Sequence, residues 1–145
     1  IDGVDKKDLR RGRAAAIDII PSTSGASQSV VESFPVLKGK LDGYALRVPV
    51  IDGSISSVIA SVKKKVSAEE VNKLFMKKAR EMPKILSYTE DAIVSSDVIH
   101  DPHSCVIDST LTGVNGNLIS IAAWYDNEWG YSNRLVDVGK MILEK

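Results

Sequence analysis

The chain has 145 residues, 43% of them hydrophobic and 26% charged, and 19 basic residues balance 19 acidic ones. This length suits one ordinary globular domain, and the neutral charge argues against nucleic-acid binding and against a membrane-surface role. No run of residues is apolar enough to span a bilayer, and the single cysteine, Cys105, excludes an intrachain disulfide, so a reducing, cytoplasmic compartment is expected.

Residues 1–13 are polar and highly charged and show no apolar period, which predicts an exposed loop. Arg10, Arg11 and Arg13 lie close together near its end. Such a trio is either a salt-bridge cluster or a phosphate site, because each planar guanidinium can donate two hydrogen bonds at once. The residues alone leave both interpretations open.

Ser24 and Gly25 open a short predicted helix that Pro35 ends. A hydroxyl group and free backbone N–H groups at a helix start form a natural anion site, although the same residues are also ordinary N-caps. The next strand, predicted over 44–48, projects Arg47 on the face opposite Tyr44. Its guanidinium needs a partner, which is either a carboxylate of the fold or a ligand phosphate.

The rest of the chain predicts an α+β domain with a largely antiparallel, mixed sheet and helices on one face. A strand is expected over 55–62, and a capping box formed by Ser67 and Glu70 opens a helix that Pro83 ends. Short strands are expected over 85–88 and 105–108. The Asn115-Gly116 pair predicts a hairpin into the last strand.

The last strand, 120–125, leads through a corner of aromatic rings, an amide and carboxylates into a final helix. Asp126 and Asn127 are good capping residues, and Tyr131 begins an apolar helical repeat. Such a corner either pins the helix onto the sheet or holds a flat polar ligand such as a nicotinamide.

Cys105 and the two histidines are interpreted as structural residues. The cysteine lies in a buried-strand pattern, where a lone cysteine is usually a small core residue. His100 and His103 are three residues apart, but Pro102 between them argues against a helical metal pair. We therefore expect no metal site.

A series of short segments covers nearly the whole chain in one familiar order: DLRR at 8–11, RAAA at 13–16, IIP at 19–21, SGA at 24–26, GKL at 39–41, RVP at 47–49, YTED at 88–91, VSSD at 94–97, WYDNE at 124–128 and GYS at 130–132. They resemble the C-terminal, catalytic domain of the glyceraldehyde-3-phosphate dehydrogenase family. That family oxidises a triose phosphate aldehyde with NAD and inorganic phosphate to an acyl phosphate.

The resemblance implies a role for each matching residue. Arg47 corresponds to the arginine that holds the substrate phosphate, and Ser24 with Gly25 corresponds to the threonine-glycine pair that binds the attacking phosphate. Arg11 corresponds to an arginine of the same anion pocket. For the cofactor, Asn127 corresponds to the asparagine bonded to the nicotinamide carboxamide, and Tyr131 to the aromatic residue beside it.

The resemblance also implies the domain organisation and the partners. Residues 1–13 match the end of a loop at a subunit interface, and residues 14–145 match a single catalytic domain of a homotetramer. The N-terminal NAD-binding domain, the nucleophilic cysteine and the base histidine of the family all correspond to positions upstream. We therefore expect a fragment with no catalytic residue of its own, inactive as an isolated chain.

Two departures leave alternatives open. Ser24 stands where the family has threonine, so the hydroxyl is kept without the methyl group that would restrict it. The HDPHS segment at 100–104 is also similar to erythrose-4-phosphate dehydrogenases. The alternatives are a fragment of that enzyme or, because the nucleophilic thiol is missing from the chain, a non-catalytic oligomerisation and binding module.

Overall fold

The structure, a computed structural model, describes Gly3, Asp5 and residues 7–144. The loop predicted over 1–13 therefore lies partly outside the described residues, and residue 145 lies outside them. The chain divides into two compact units, one ending at Ile51 and the other beginning at Asp52. Within the described residues, no helix is both long enough and apolar enough to cross a bilayer.

The first unit is built on a two-stranded antiparallel ribbon of β1 (Ile20–Thr23) and β2 (Tyr44–Arg47). Between these strands the chain forms α1 (Ala26–Ser33) and a 3₁₀ turn (Pro35–Leu37). Pro35 ends α1 as predicted, because a proline cannot donate the next helical hydrogen bond. It also begins the 3₁₀ turn, where its missing N–H is not required.

The second unit contains a sheet with the strand order β3-β6-β5-β4. Its strands are β3 (Ser54–Ser61), β4 (Leu86–Thr89), β5 (Cys105–Asn115) and β6 (Leu118–Tyr125). Only the pairing of β4 with β5 is parallel among the described strands of this sheet. The α+β class with a largely antiparallel, mixed sheet is therefore confirmed.

The predicted hairpin joins β5 to β6, and Asn115 pairs with Leu118 across its turn. Gly116 takes a φ of 65° there, a left-handed conformation that costs glycine little. However, β5 runs to Asn115 rather than ending at Asp108, because the chain continues to pair with β6 after a register shift between Asp108 and Gly113.

Two long helices complete the second unit: α2 (Ala68–Glu81) and α3 (Trp129–Leu143). The capping box of α2 is confirmed, since Ser67 Oγ accepts the Glu70 N–H and the Glu70 carboxylate accepts the Ser67 N–H. This helix packs against β4 and β5. Asn72 fixes it there by donating to the Ser109 carbonyl and accepting the Thr112 hydroxyl.

The buried apolar core of this unit is small and lies on the central strands and beside them. Its members are Val71, Val98, Val106, Ile107, Ala122 and Ala123. Two carboxylates, Asp108 and Asp126, are buried with them, at 1% and 2% exposure. By contrast, the apolar repeat of α3 is exposed, with Leu135 at 55% and Ile142 at 68%.

Candidate functional site

The predicted anion residues lie at opposite ends of the β1–β2 ribbon. Arg47 is the last residue of β2 and pairs with Ile20, whereas Ser24 directly follows Thr23 at the other end of β1. Four residues of extended chain span roughly 13 Å, at about 3.3 Å each. Arg47 is exposed, and no hydrogen bond or ion pair joins its guanidinium to any described residue. Its side chain is therefore available to a ligand.

Ser24 and Gly25 lie where β1 passes into α1, as predicted. Ser24 Oγ accepts the N–H of Ala26 at 3.2 Å, so the hydroxyl serves as a local cap for the first turn. A serine hydroxyl has one proton to donate and a second lone pair, and both remain after this bond. The capping role and an anion-binding role are therefore compatible.

An open cavity of about 570 Å³ adjoins Ser24 in the first unit. Its lining residues are Asp8, Arg10, Pro21, Ser22, Thr23, Ser24, Asp42, Gly43 and Tyr44. Arg10 thus shares this cavity with Ser24, whereas Arg11 and Arg47 do not line it. The sequence predicted a possible phosphate site from the three clustered arginines, but their spacing alone could not show that Arg10 is the one that shares the cavity with Ser24.

Arg11 lies instead beside a carboxylate of its own loop. The backbone N–H groups of Lys7 and Asp8 donate to Asp5 and lower its pKa, and the positive charge of Arg11 lowers that pKa further. Within the described residues, however, no ion pair joins Arg11 to Asp5, so the salt-bridge interpretation of Arg11 stays a prediction.

The corner between β6 and α3 is organised by the buried carboxylate of Asp126. Its Oδ1 accepts the N–H groups of Glu128 and Trp129 at 2.9 and 2.6 Å, and its Oδ2 accepts that of His100 at 2.8 Å. Burial opposes ionisation of this group, but the three N–H donors, Trp129 foremost, and the nearby His100 charge outweigh it and lower the pKa of Asp126. Asp126 is therefore the cap of α3.

Asn127, the next residue, takes no part in that capping. It is exposed, and its Oδ1 accepts the hydroxyl of Ser54 at 3.0 Å, across 73 positions of sequence. Tyr131, four positions further on, is 65% exposed. Both side chains belong to the second unit and are open to a ligand. Sequence reasoning missed Ser54, because a contact so distant in sequence leaves no local pattern.

The histidines and the cysteine have structural surroundings. His100 has a φ of 64°, and its ring lies 5.2 Å from that of Trp129. His103 contacts Asp101 through Nδ1 at 2.6 Å and the Pro83 carbonyl through Nε2 at 3.1 Å. Burial raises the pKa of the Cys105 thiol to about 11, so it is protonated at neutral pH. The described residues contain no group of three potential metal ligands.

Comparison with known proteins identifies the family. Residues 1–127 match the family described as "Glyceraldehyde 3-phosphate dehydrogenase, C-terminal domain". The chain belongs to this family. Among similar proteins, the glyceraldehyde-3-phosphate dehydrogenase of Streptomyces coelicolor is 55% identical over 135 residues, and that of Mycobacterium avium is 51% identical over 137 residues.

These two alignments cover 91% and 94% of the chain but only 40% of each relative. The chain therefore spans two fifths of the length of these dehydrogenases. The family assignment made from sequence is confirmed.

Proposed function

We propose that this chain is the C-terminal catalytic-domain part of an NAD-dependent, phosphorylating glyceraldehyde-3-phosphate dehydrogenase. The observation that carries the proposal is the family match over residues 1–127. The reaction converts the aldehyde of glyceraldehyde 3-phosphate, with inorganic phosphate and NAD, to an acyl phosphate and NADH. The longer protein works in the cytoplasm as part of glycolysis.

The first unit supplies the anion-binding groups. Arg47 binds the phosphate of the substrate, since its exposed guanidinium can donate two hydrogen bonds to one phosphate. Ser24 donates its hydroxyl to the attacking inorganic phosphate, with the Gly25 backbone beside it. Their separation along the ribbon supports this division of roles, because it suits two distinct anions better than one. Arg11 does not line the cavity beside Ser24, so its contribution to this unit is the positive charge of its loop.

The second unit supplies part of the nicotinamide site. The exposed amide of Asn127 matches the hydrogen-bonding groups of a carboxamide, and the exposed ring of Tyr131 offers a flat surface beside it, so both residues fit NAD. When bound, NAD accepts the hydride that leaves the aldehyde carbon. Asn127 orients the carboxamide, and Tyr131 shields the ring from water. Most of the cofactor is bound by the N-terminal domain of the longer protein.

Assembly with that domain and with other subunits completes the site. The chain carries no catalytic cysteine or histidine, so it is inactive alone, and the longer protein is a homotetramer. The apolar side chains exposed on α3 support docking onto another domain or subunit, because water contact with so many large apolar groups is costly. This same surface is what favours an assembly module as the second candidate function.

The intact mass and the enzymatic activity of the native protein test the proposal together. We expect a mass at least about twice the 15.7 kDa of this chain, with oxidation of glyceraldehyde 3-phosphate that requires both NAD and phosphate. The chain expressed alone should show none. Erythrose 4-phosphate, assayed in parallel, identifies the alternative enzyme if it is the better substrate. If the longer protein oxidises neither substrate, the dehydrogenase proposal is wrong and the assembly module becomes the better candidate function.

A further inference from the structure

Ser54 forms the one hydrogen bond that the structure gives to the Asn127 side chain within the described residues. Its hydroxyl donates to Asn127 Oδ1 at 3.0 Å. Ser54 is the first residue of β3 and pairs with Tyr125 at the end of β6. The bond therefore ties the corner that carries Asn127 to the neighbouring strand of the sheet.

An exposed asparagine side chain does not hold its amide in one orientation by itself. The terminal torsion of asparagine is broad and roughly two-fold, so the amide plane can rotate at little cost. A hydroxyl that donates to Oδ1 restricts this rotation. It leaves the two N–H donors of Nδ2 and one lone pair of Oδ1 for a ligand.

The turn before Ser54 is itself held in place. Gly53 has a φ of 84°, and its Cα lies so close to the Ser95 carbonyl that a β-carbon would overlap it. Its N–H donates to Asp52 Oδ1 at 2.7 Å. On the other side, Asp126 fixes the backbone next to Asn127 with its three N–H bonds. Both partners of the Ser54–Asn127 bond thus lie on restrained backbone.

We propose that Ser54 is a positioning residue that fixes the amide of Asn127 in the orientation that receives the carboxamide of nicotinamide. This inference rests on the proposed role of Asn127 in NAD binding. Ser54 acts through Asn127 and makes no contact of its own with the cofactor. Its contribution is to spare the ligand the cost of ordering the amide on binding.

The expected effects are modest and specific. A single neutral hydrogen bond is worth about 1 kcal/mol, which corresponds to a change in affinity of about fivefold. Ser54→Ala should therefore raise the Kd for NAD by that factor. Ser54→Thr keeps the hydroxyl and should remain within about twofold of the parent. The KM for the aldehyde substrate should not change, because the substrate phosphate binds elsewhere.

A double-mutant cycle on the full-length dehydrogenase tests the inference, with the Kd for NAD measured by calorimetry in the absence of substrate. The variants are Ser54→Ala, Asn127→Ala and their combination. We expect Ser54→Ala to weaken binding in the parent protein and to have no further effect in the Asn127→Ala background. Ser57→Ala is the matched control, since Ser57 is exposed on the opposite face of β3 and should leave the Kd unchanged.

The outcomes separate this inference from the proposed function. If Asn127→Ala leaves the Kd unchanged, the proposed cofactor role of Asn127 fails and the inference fails with it. If Asn127→Ala weakens binding but Ser54→Ala does not, only the positioning role of Ser54 is overturned. Equal loss in both backgrounds also overturns it. Should Ser54→Ala unfold, the Thr and Val variants, which are similar in shape and differ in the hydroxyl, give the same comparison.

Discussion

The indole N–H of Trp124 on β6 donates to Oδ2 of Asp108 on β5 at 3.0 Å. The Thr110 hydroxyl and backbone N–H both donate to the other oxygen, at 2.6 and 3.0 Å. Burial opposes the charge of Asp108, but the bonds from Thr110 and Trp124 outweigh burial and lower the pKa of this carboxyl. The two strands of the hairpin are therefore joined by a satisfied polar group within the apolar sheet.

Removing this carboxylate should destabilise the protein through the donors that it leaves behind. In Asp108→Ala, the half-buried Trp124 indole loses its acceptor inside the structure, and such an unsatisfied group costs about 1–3 kcal/mol, whereas the exposed Thr110 hydroxyl can bond to water instead. We expect the free energy of unfolding in urea to fall by about 1–3 kcal/mol. Trp124→Phe should cost less, because Asp108 keeps its Thr110 bonds. A loss below about 0.5 kcal/mol for Asp108→Ala would contradict this account.

Asp126 should make the stability of the protein depend on pH in the acid range. Its folded pKa lies below the ordinary value of 3.8, so the unfolded chain binds the proton more readily than the folded one. The stabilisation is therefore complete above the unfolded pKa and is lost as the pH falls through the lowered folded pKa. The free energy of unfolding of the parent protein, measured in urea, should fall steadily below about pH 4.

Asp126→Asn should flatten that dependence. The amide oxygen can still accept the Glu128 and Trp129 N–H groups, but the amide nitrogen then faces the His100 N–H, a donor against a donor. We expect a loss of about 1–3 kcal/mol at neutral pH and a shallower acid limb. Asp137→Asn is the control, because Asp137 forms only a partly exposed ion pair with Arg134. An unchanged acid limb in Asp126→Asn would contradict the assignment.

Local rules sufficed where the structure depends on neighbours in sequence. The Ser67 capping box, the proline at the end of α1 and the Gly116 hairpin are each set by a few adjacent residues, and all were predictable. The contact of Ser54 with Asn127 could not be predicted, because it joins residues that are brought together only by strand pairing. The exposure of the apolar repeat of α3 was also not predictable, since an apolar helical stripe predicts a buried face without indicating which part of the protein covers it.

Gly53 should tolerate no side chain, since two costs act together at this position. Alanine would have to hold a φ of 84° and would also place its β-carbon against the Ser95 carbonyl. We expect Gly53→Ala to lower the free energy of unfolding by at least about 2 kcal/mol. Gly116→Ala is the matched control: its φ is 65°, but no atom lies within 4 Å of the added carbon, so only the conformational cost of about 1 kcal/mol remains. Equal losses would mean that the Ser95 contact is unimportant.

Under the proposed function, Arg47 and Ser24 should affect different substrates of the full-length protein, since they lie at opposite ends of the ribbon. Arg47→Ala removes charged hydrogen bonds and should raise the KM for glyceraldehyde 3-phosphate by about tenfold or more. Ser24→Ala removes one neutral donor and should raise the KM for inorganic phosphate by about threefold to tenfold, with little change for the triose phosphate. Ser29→Ala, an exposed site on α1, is the control and should change neither KM. If both variants raised the KM of the same substrate, Arg47 and Ser24 would share one anion, and the division of roles proposed from the ribbon would be wrong.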